Sequence, residues 1–424
     1  MIQTLRNAWR VEEIRNKILF TLLIILLYRI GNAIPVPYID RDALQYYFTA
    51  MGSTVLGLLN VMSGSAFSQA TIFALSIQPY INASIIIQLL CIAIPALERM
   101  SKEEGEEGRK KIASITRYTT VGIGLLQGFA YYMLIKNNGL LENGVEGFVP
   151  ALVIILTFTS GSAIIMWLGE QITEYGIGNG ISIILFASII SRFPSSIVQT
   201  IGYVSKGSLK WWIAALMYLG ALAIIILIVY VNDAERRIPV QYSKRVVGRK
   251  MYGGQNTHLP MKVNMSGVMP IIFAQSIASL PATIAAFTGK AGSWWAQTNT
   301  ILYAVLYFLL IIFFAYFYST IQFNPVEVAN NLKKNGGYIP GFRPGKPTSE
   351  FIQKVLNKIT LFGALYLGII ATVPIIISHF STTASLTGLS LGGTSIIIVV
   401  GVALETIRAL EAQLMLRNYK GFLD

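Results

Sequence analysis

Residues 211–231 read WWIAALMYLGALAIIILIVYV, an unbroken apolar run with no charged position. The hydrocarbon core of a bilayer is about 30 Å thick and needs roughly 20 mostly apolar residues per helix. Further runs of this kind lie at residues 18–34, 72–96, 112–135, 148–168, 181–201, 268–287, 301–321, 361–377 and 394–415, ten in all. They are far too long for barrel strands, and with water absent only helices or closed barrels satisfy the backbone. The expected fold class is an all-α membrane protein with ten transmembrane helices.

Composition agrees: 54% of residues are hydrophobic and 12% charged, against roughly 25% charged in a soluble domain. The net charge of +13 raises the question of nucleic acid, which its placement answers. With Met1 inside, 26 of the 33 Lys and Arg residues fall on the inner side, before the first span, over 99–117, 236–262 and 333–358, and from Arg408 on. The outer side holds Arg29, Arg41, Lys136, Arg192, Lys206, Lys210 and Lys290. Positive charge retained inside accounts for the asymmetry and puts both termini in the cytoplasm. No cleavable signal peptide is expected, because residues 33–37 (AIPVP) lack a small-x-small site after the first run. Cys91 stands alone, so neither a disulfide framework nor a thiolate metal site is available.

Ten spans divide into five and five, and an odd number forces the second set to start from the opposite face. That is the arithmetic of inverted repeats, with a working pathway between the halves; a ten-helix bundle without symmetry fits the hydropathy equally well. The halves are 1–205 and 206–424. Two inner loops, 232–267 and 323–355, are too long for turns, and loops of that length usually carry function. The first contains an extended IPVQY at 238–242 ahead of Arg249 and Lys250. In the second, Pro340, Gly341, Pro344 and Gly345 stiffen a tip that presents Phe342 and Arg343. Macromolecular docking is favoured over simple attraction to anionic lipid.

The span centres lack the Asp, Glu or His expected of a proton-coupled carrier. Arg29, Arg117, Glu405 and Arg408 lie nearer span ends, where long side chains snorkel. No Walker loop, His-Glu-x-x-His pair or nucleophile elbow occurs, which argues against an enzyme, a cofactor or direct nucleotide binding. What the interior does hold is neutral polarity beside helix breakers: Gln78, Pro79, Asn82 and Gln88 in the second span, Pro270, Gln275, Ser276 and Pro281 in the seventh. Such residues glue helices together at about 0.6–2 kcal/mol each, or mark a seam able to open. Residues 56–68, rich in small side chains and too short to span, suit a re-entrant helix sheltered by protein.

At these positions the chain closely resembles the SecY / translocon alpha-subunit family. The matching stretches are SG at 63–64 with IFAL at 72–75, PYINASIIIQLL at 79–90, WLGEQITE at 167–174, GIGNGIS at 176–182 and THLPMKVN at 257–264. NP at 324–325, NLKK at 331–334, PGFRPG at 340–345 and GGTS at 392–395 complete the set. They occur in family order over nearly the whole chain. Residues 287–300 look individual to this sequence.

The resemblance implies two inverted five-helix halves around an hourglass pore that conducts unfolded polypeptide across the bacterial plasma membrane and releases hydrophobic segments sideways. It maps the pore ring to Ile77, Ile81, Ile189, Ile272 and Ile398. It maps the plug to 56–68, with Asn60, Met62, Ser63, Gly64 and Phe67, and the lateral gate to Asn82, Gln88, Ser276 and Leu280. The loops of Arg343, Phe342, Arg249 and Lys250 are similar to those that receive the SecA motor ATPase or the ribosome. Small SecE- and SecG-like membrane subunits are the implied companions, and a polypeptide bearing a signal sequence is the implied cargo. The rival class is a secondary small-solute transporter built on the same repeat; a non-conducting scaffold would need neither the plug-like segment nor the polar seam.

Overall fold

Each of the ten apolar runs overlaps helix, in whole or in part, in the computed structural model, which describes residues 2–50, 55–102, 105–142, 147–207, 209–242, 245–247, 250–252, 256–287, 297–298, 300–380 and 393–420. The chain opens with α1 (Ile2–Arg10), α2 (Glu12–Gly31), α3 (Arg41–Ala50), α4 (Val55–Met62), α5 (Gln78–Ala93) and α6 (Pro95–Lys102). It continues through α7 (Gly105–Asn137), α8 (Phe148–Tyr175), α9 (Gly180–Ile190), α10 (Phe193–Ser205) and α11 (Trp211–Asp233). After the first long loop come α12 (Met269–Phe287), α13 (Ile301–Gln322), α14 (Pro325–Lys334), α15 (Lys346–Phe380) and α16 (Gly393–Lys420). Among the described residues, six segments are long and apolar enough to cross a membrane: Phe148–Tyr175, Gly180–Ser205, Trp211–Asp233, Ile301–Lys334, Lys346–Ile377 and Gly393–Met415. The α5 and α12 helices are apolar but shorter, and α2 and α7 each begin with charged turns before turning apolar.

Several boundaries differ from the hydropathy runs, each for a local reason. The second run, 72–96, is helical only from Gln78 to Ala93. Pro79 sits in the first turn, where its missing N–H costs nothing, and Ser76 ahead of it takes a positive φ of 51°. At the other end Ile94 is extended before Pro95, since a residue preceding proline avoids the α region. The fifth run breaks into α9 and α10 at Ser191 and Arg192, with Pro194 opening the new helix. The first run is shifted: its helix spans Glu12–Gly31, and residues 32–34 turn so that Ile34 O accepts Ile72 N–H at 3.0 Å. The ninth helix starts at Lys346, well ahead of residue 361, because its first turns are amphipathic and pack on protein rather than lipid.

Much of the helix packing follows chain order, while α2 packs on α8 and α11 on α16. The α7 helix packs on α5 and α8, α8 on α9, α12 on α13, and α13 on α15. Helices before and after residue 205 meet along two lines, α16 against α9, α1 and α2, and α12 against α4, α5 and α7. The largest hydrophobic cluster lies between these lines and draws on both halves.

Outside the helical body, the two long loops join. β1 (Glu235–Tyr242) pairs antiparallel with β4 (Asn256–Lys262) on one side and with β5 (Gly337–Tyr338) on the other. A separate hairpin pairs β2 (Arg245–Val247) with β3 (Lys250–Tyr252). The IPVQY stretch lies on β1, as its extended reading requires, with Ile238 and Val240 buried against Met261, Ile339, Ile352 and Leu356.

Close approach at Gly161 sets the position of the chain before α5. A Cβ there would lie 2.0 Å from the Ile72 carbonyl oxygen, a backbone atom that has no rotamer by which to escape. Gly161→Ala therefore forces α8 away from residues 71–77, and overpacking of this kind costs about 1–3 kcal/mol. A lowered thermal unfolding midpoint in detergent is the expected result; an unchanged midpoint would show that this contact yields.

Candidate pore, plug and seam

Four helices place the five mapped isoleucines. Ile77 is the residue at the N-terminal cap of α5, Ile81 lies one turn on, and Ile189 closes the last turn of α9. Ile272 is in the first turn of α12 and Ile398 in the second turn of α16. All five are buried, at 0–4% exposure, and all belong to the one large cluster. Other isoleucines share that cluster, including Ile85, Ile184, Ile271 and Ile397, so burial by itself does not single out a ring.

The plug segment is a short helix followed by turns rather than a helix over all of 56–68. The helix stops at Met62, and Gly64 and Ser65 both take positive φ, 67° and 74°. Its turn is closed by its own polar side chains. Ser63 Oγ donates to Asn60 O (3.1 Å) and accepts Phe67 N–H (3.1 Å), while Asn60 Oδ1 accepts Ser68 N–H (3.0 Å). Phe67 stacks on Tyr131 with centroids 4.3 Å apart, and the Tyr131 hydroxyl donates to the Phe67 carbonyl. The hydroxyls of Tyr28 and Ser188 hydrogen-bond at 2.6 Å, and the Tyr28 hydroxyl also reaches the Ser63 carbonyl at 3.5 Å. The Met62 sulfur accepts from the amides of Gln78 (3.0 Å) and Gln275 (3.5 Å).

Three of the four mapped gate residues come together. Asn82 of α5 and Ser276 and Leu280 of α12 line one cavity of about 30 Å³, with Leu59 and Phe67 of the plug segment. That is room for about one water. Gln88 is not among its lining residues; its amide donates to Ser84 Oγ on its own helix at 3.2 Å. Three contributors escaped the sequence reading. Gln127 of α7 also lines the cavity, and its signal was a lone amide within the apolar run LLQGF. Tyr28 and Tyr131 gave no signal, since an aromatic residue in an apolar span is ordinary.

At the loop end, Gly341 and Gly345 take φ of 87° and 106°, as a stiff tip needs. Arg343 is exposed and its carbonyl accepts the Thr348 hydroxyl at 2.8 Å. Phe342 is only partly presented to solvent, because it stacks on Phe351 of α15 with centroids 4.2 Å apart. Arg249 lies outside the described residues, and Lys250 opens β3. Nearby, burial holds the Lys262 ammonium below its ordinary pKa, with Arg408 adding to the effect against the pull of Glu235, Glu405 and Asp233. Arg408 in turn donates to Asn232 O (2.7 Å) and Asp233 (2.6 Å), pinning α16 to the end of α11. Among the described residues no cluster of His, Cys, Asp and Glu is arranged to hold a metal.

A multi-pass helical body with a buried apolar centre, a short helix lodged over it and a polar seam defines a membrane channel fold. Solved structures share it. The chain superposes on a protein conducting channel with a TM-score of 0.63 at 19% identity, covering 94% of this chain and 92% of the other. It also superposes on Sec61 from the canine ribosome-channel complex, with a TM-score of 0.59 at 17% identity and the same coverage. Sequence relatives are nearer: the protein translocase subunits SecY of Streptomyces scabiei at 45% identity and Mycobacterium tuberculosis at 40%, each over 100% of both chains. The SecY family profile matches residues 71–407. The chain belongs to the SecY family.

The shared cavity generates a direct test of the seam. With Cys91 first replaced, cysteines introduced by Asn82→Cys and Leu280→Cys are expected to form a disulfide under mild oxidation, which requires Cα atoms about 4.4–6.8 Å apart. Absence of the crosslink on a non-reducing gel would place the α5–α12 seam elsewhere.

Proposed function

We propose that this chain is the channel-forming subunit of a protein translocase, conducting unfolded polypeptide between the halves 1–205 and 206–424. The observation that carries this is the convergence of Ile77, Ile81, Ile189, Ile272 and Ile398 from four helices into one buried cluster, in a chain of the SecY family. A ring of branched aliphatic side chains excludes water and ions when empty by dewetting. Around an extended chain it offers dispersion contact without hydrogen bonds, so the chain slides. The plug segment covers the ring at rest and leaves when the channel opens.

The α5–α12 seam supplies the second exit. A segment rich in Leu, Ile, Val or Phe gains roughly 0.3–0.6 kcal/mol per residue on entering lipid. Over the length of a signal sequence this sums to several kcal/mol, enough to favour sideways release over continued threading. Polar segments gain nothing and pass through.

Opening requires a partner that binds the open form better than the closed one. The sheet formed by β4, β1 and β5, with the exposed Arg343 tip beside it, is the surface for such a partner. A SecA-type motor or the ribosome fits, since exposed guanidinium groups pair bidentately with carboxylate or phosphate. Small SecE- and SecG-like subunits and anionic lipid complete the assembly. The orientation follows from the charge count: loops 232–267 and 323–355 and both termini in the cytoplasm, the protein in the bacterial plasma membrane. The chain acts as a conduit rather than an enzyme, and the energy for directional movement comes from the docked partner.

Two measurements test this on complexes reconstituted in bilayers. Ion conductance through the resting channel is expected to rise when the five isoleucines are changed to Ser, because a polar ring wets; wild-type conductance would remove them from the pore. Motor-driven translocation of a secretory precursor into vesicles is expected to fall at least tenfold in Arg343→Glu, while assembly is unaffected. That figure is about 1.4 kcal/mol, the lower end for losing a charge-assisted hydrogen bond. Full activity in this variant would reduce the tip to a lipid-facing turn.

A further inference from the structure

The plug segment is held in two ways. From Ser63 to Ser68 its hydrogen bonds and ring contacts run to α2, α3, α7 and α9 through Tyr28, Phe48, Tyr131 and Ser188, all in the first half of the chain, and only the apolar flank of Phe67 faces α12. At Met62 the attachment is of another kind. The sulfur sits between Gln78 Nε2 at 3.0 Å, on α5, and Gln275 Nε2 at 3.5 Å, on α12. These helices form opposite walls of the seam, and Met62 is 4% exposed. One plug atom thus accepts hydrogen bonds from both sides of the line along which the protein would open.

We propose that Met62 is a latch residue, whose thioether sulfur couples the seating of the plug to closure of the α5–α12 seam. The inference rests on the channel reading above. Movement of α12 away from α5 breaks the Gln275 bond while the Gln78 bond and the Ser63–Ser68 anchorage persist. The plug then stays with the first half, held on one side only, until an entering chain displaces it. Conversely, removing the plug takes from Gln275 its bond across the seam, which loosens closure. The choice of sulfur matters. A thioether is a weak acceptor, so the latch yields to modest force, where a carbonyl would hold more firmly. Methionine is also unbranched and flexible, and can keep contact with both amides while the seam breathes.

The test uses the full channel complex in planar bilayers, with Met62→Leu, Gln275→Met and the double variant. Leucine and methionine preserve volume while removing the acceptor or the donor. Gln275→Met removes one weak hydrogen bond and is expected to raise resting conductance roughly 3- to 10-fold; Met62→Leu, which removes that bond and the one to Gln78, is expected to leak at least as much. The double variant is expected to leak no more than Met62→Leu, which already deletes the bond across the seam. A second variant keeps the test sharp: Met62→Gln supplies a stronger carbonyl acceptor at similar reach and is expected to lower resting conductance and delay the onset of translocation. Single variants without added leak, or a double variant whose leak is the product of the two, would overturn the latch. Translocation by the wild-type complex is measured alongside. Its failure would overturn the channel reading itself, whereas normal wild-type translocation with unaltered variant conductance would overturn the latch alone.

Discussion

A peptide group in hydrocarbon has no water to bond, and most of this chain answers by winding into helices that satisfy their own backbone. The exception is the stretch from Ser63 to Ile77, which lies at the centre of the protein without being regular helix. It is tolerated because protein replaces water at each step. Val36 N–H bonds Ala70 O at 2.9 Å, Ile72 N–H bonds Ile34 O at 3.0 Å, and short turns close Ala66, Thr71 and Ala74. Its side chains are almost all buried. From this irregular stretch follows the rest of the site: α5 starts only at Gln78, Ile77 stands at its tip, and α4 packs on α9 and α12.

Packing is uneven in a way that suits movement. Along α13 and α15 the second half is knit by large side chains and by the Ser319–Thr360 hydroxyl pair at 3.0 Å. Along α12 and α5 a cavity lined by Asn82, Ser276 and Leu280 lies beside the buried isoleucines of the central cluster. Amide and hydroxyl contacts between helices are worth only about 0.6–2 kcal/mol each, and they are lost at little cost if water or a polar chain takes their place. Apolar interdigitation has no such substitute.

The loops are not independent arms. Tyr338 pairs with Gln241 through backbone and through its hydroxyl, 3.0 Å from Gln241 Oε1, and Phe342 rests on Phe351 of α15. β4 leads within a few residues into α12. A load applied at the Arg343 tip is therefore shared between α15 and the strand that precedes the seam helix, a mechanical link that separate flexible loops would lack.

Much of this was legible in the chain itself. Apolar run length determines which segments enter lipid, because transfer free energy is a sum over residues and needs no knowledge of neighbours. Charge placement gives an expected sidedness, and the family motifs supplied the mapped residues. Proline marked the breaks at Pro79, Pro95 and Pro194, though hydropathy ran straight through all three. Tertiary structure alone decided what depends on two distant segments meeting. That Asn82 and Leu280 share a cavity while Gln88 turns back to Ser84, that Met62 lies between Gln78 and Gln275, and that β5 joins β1 are facts of relative placement. A periodicity or a composition carries no such information, because the same isoleucine or glutamine reads identically whether it faces lipid, a neighbour or the pore.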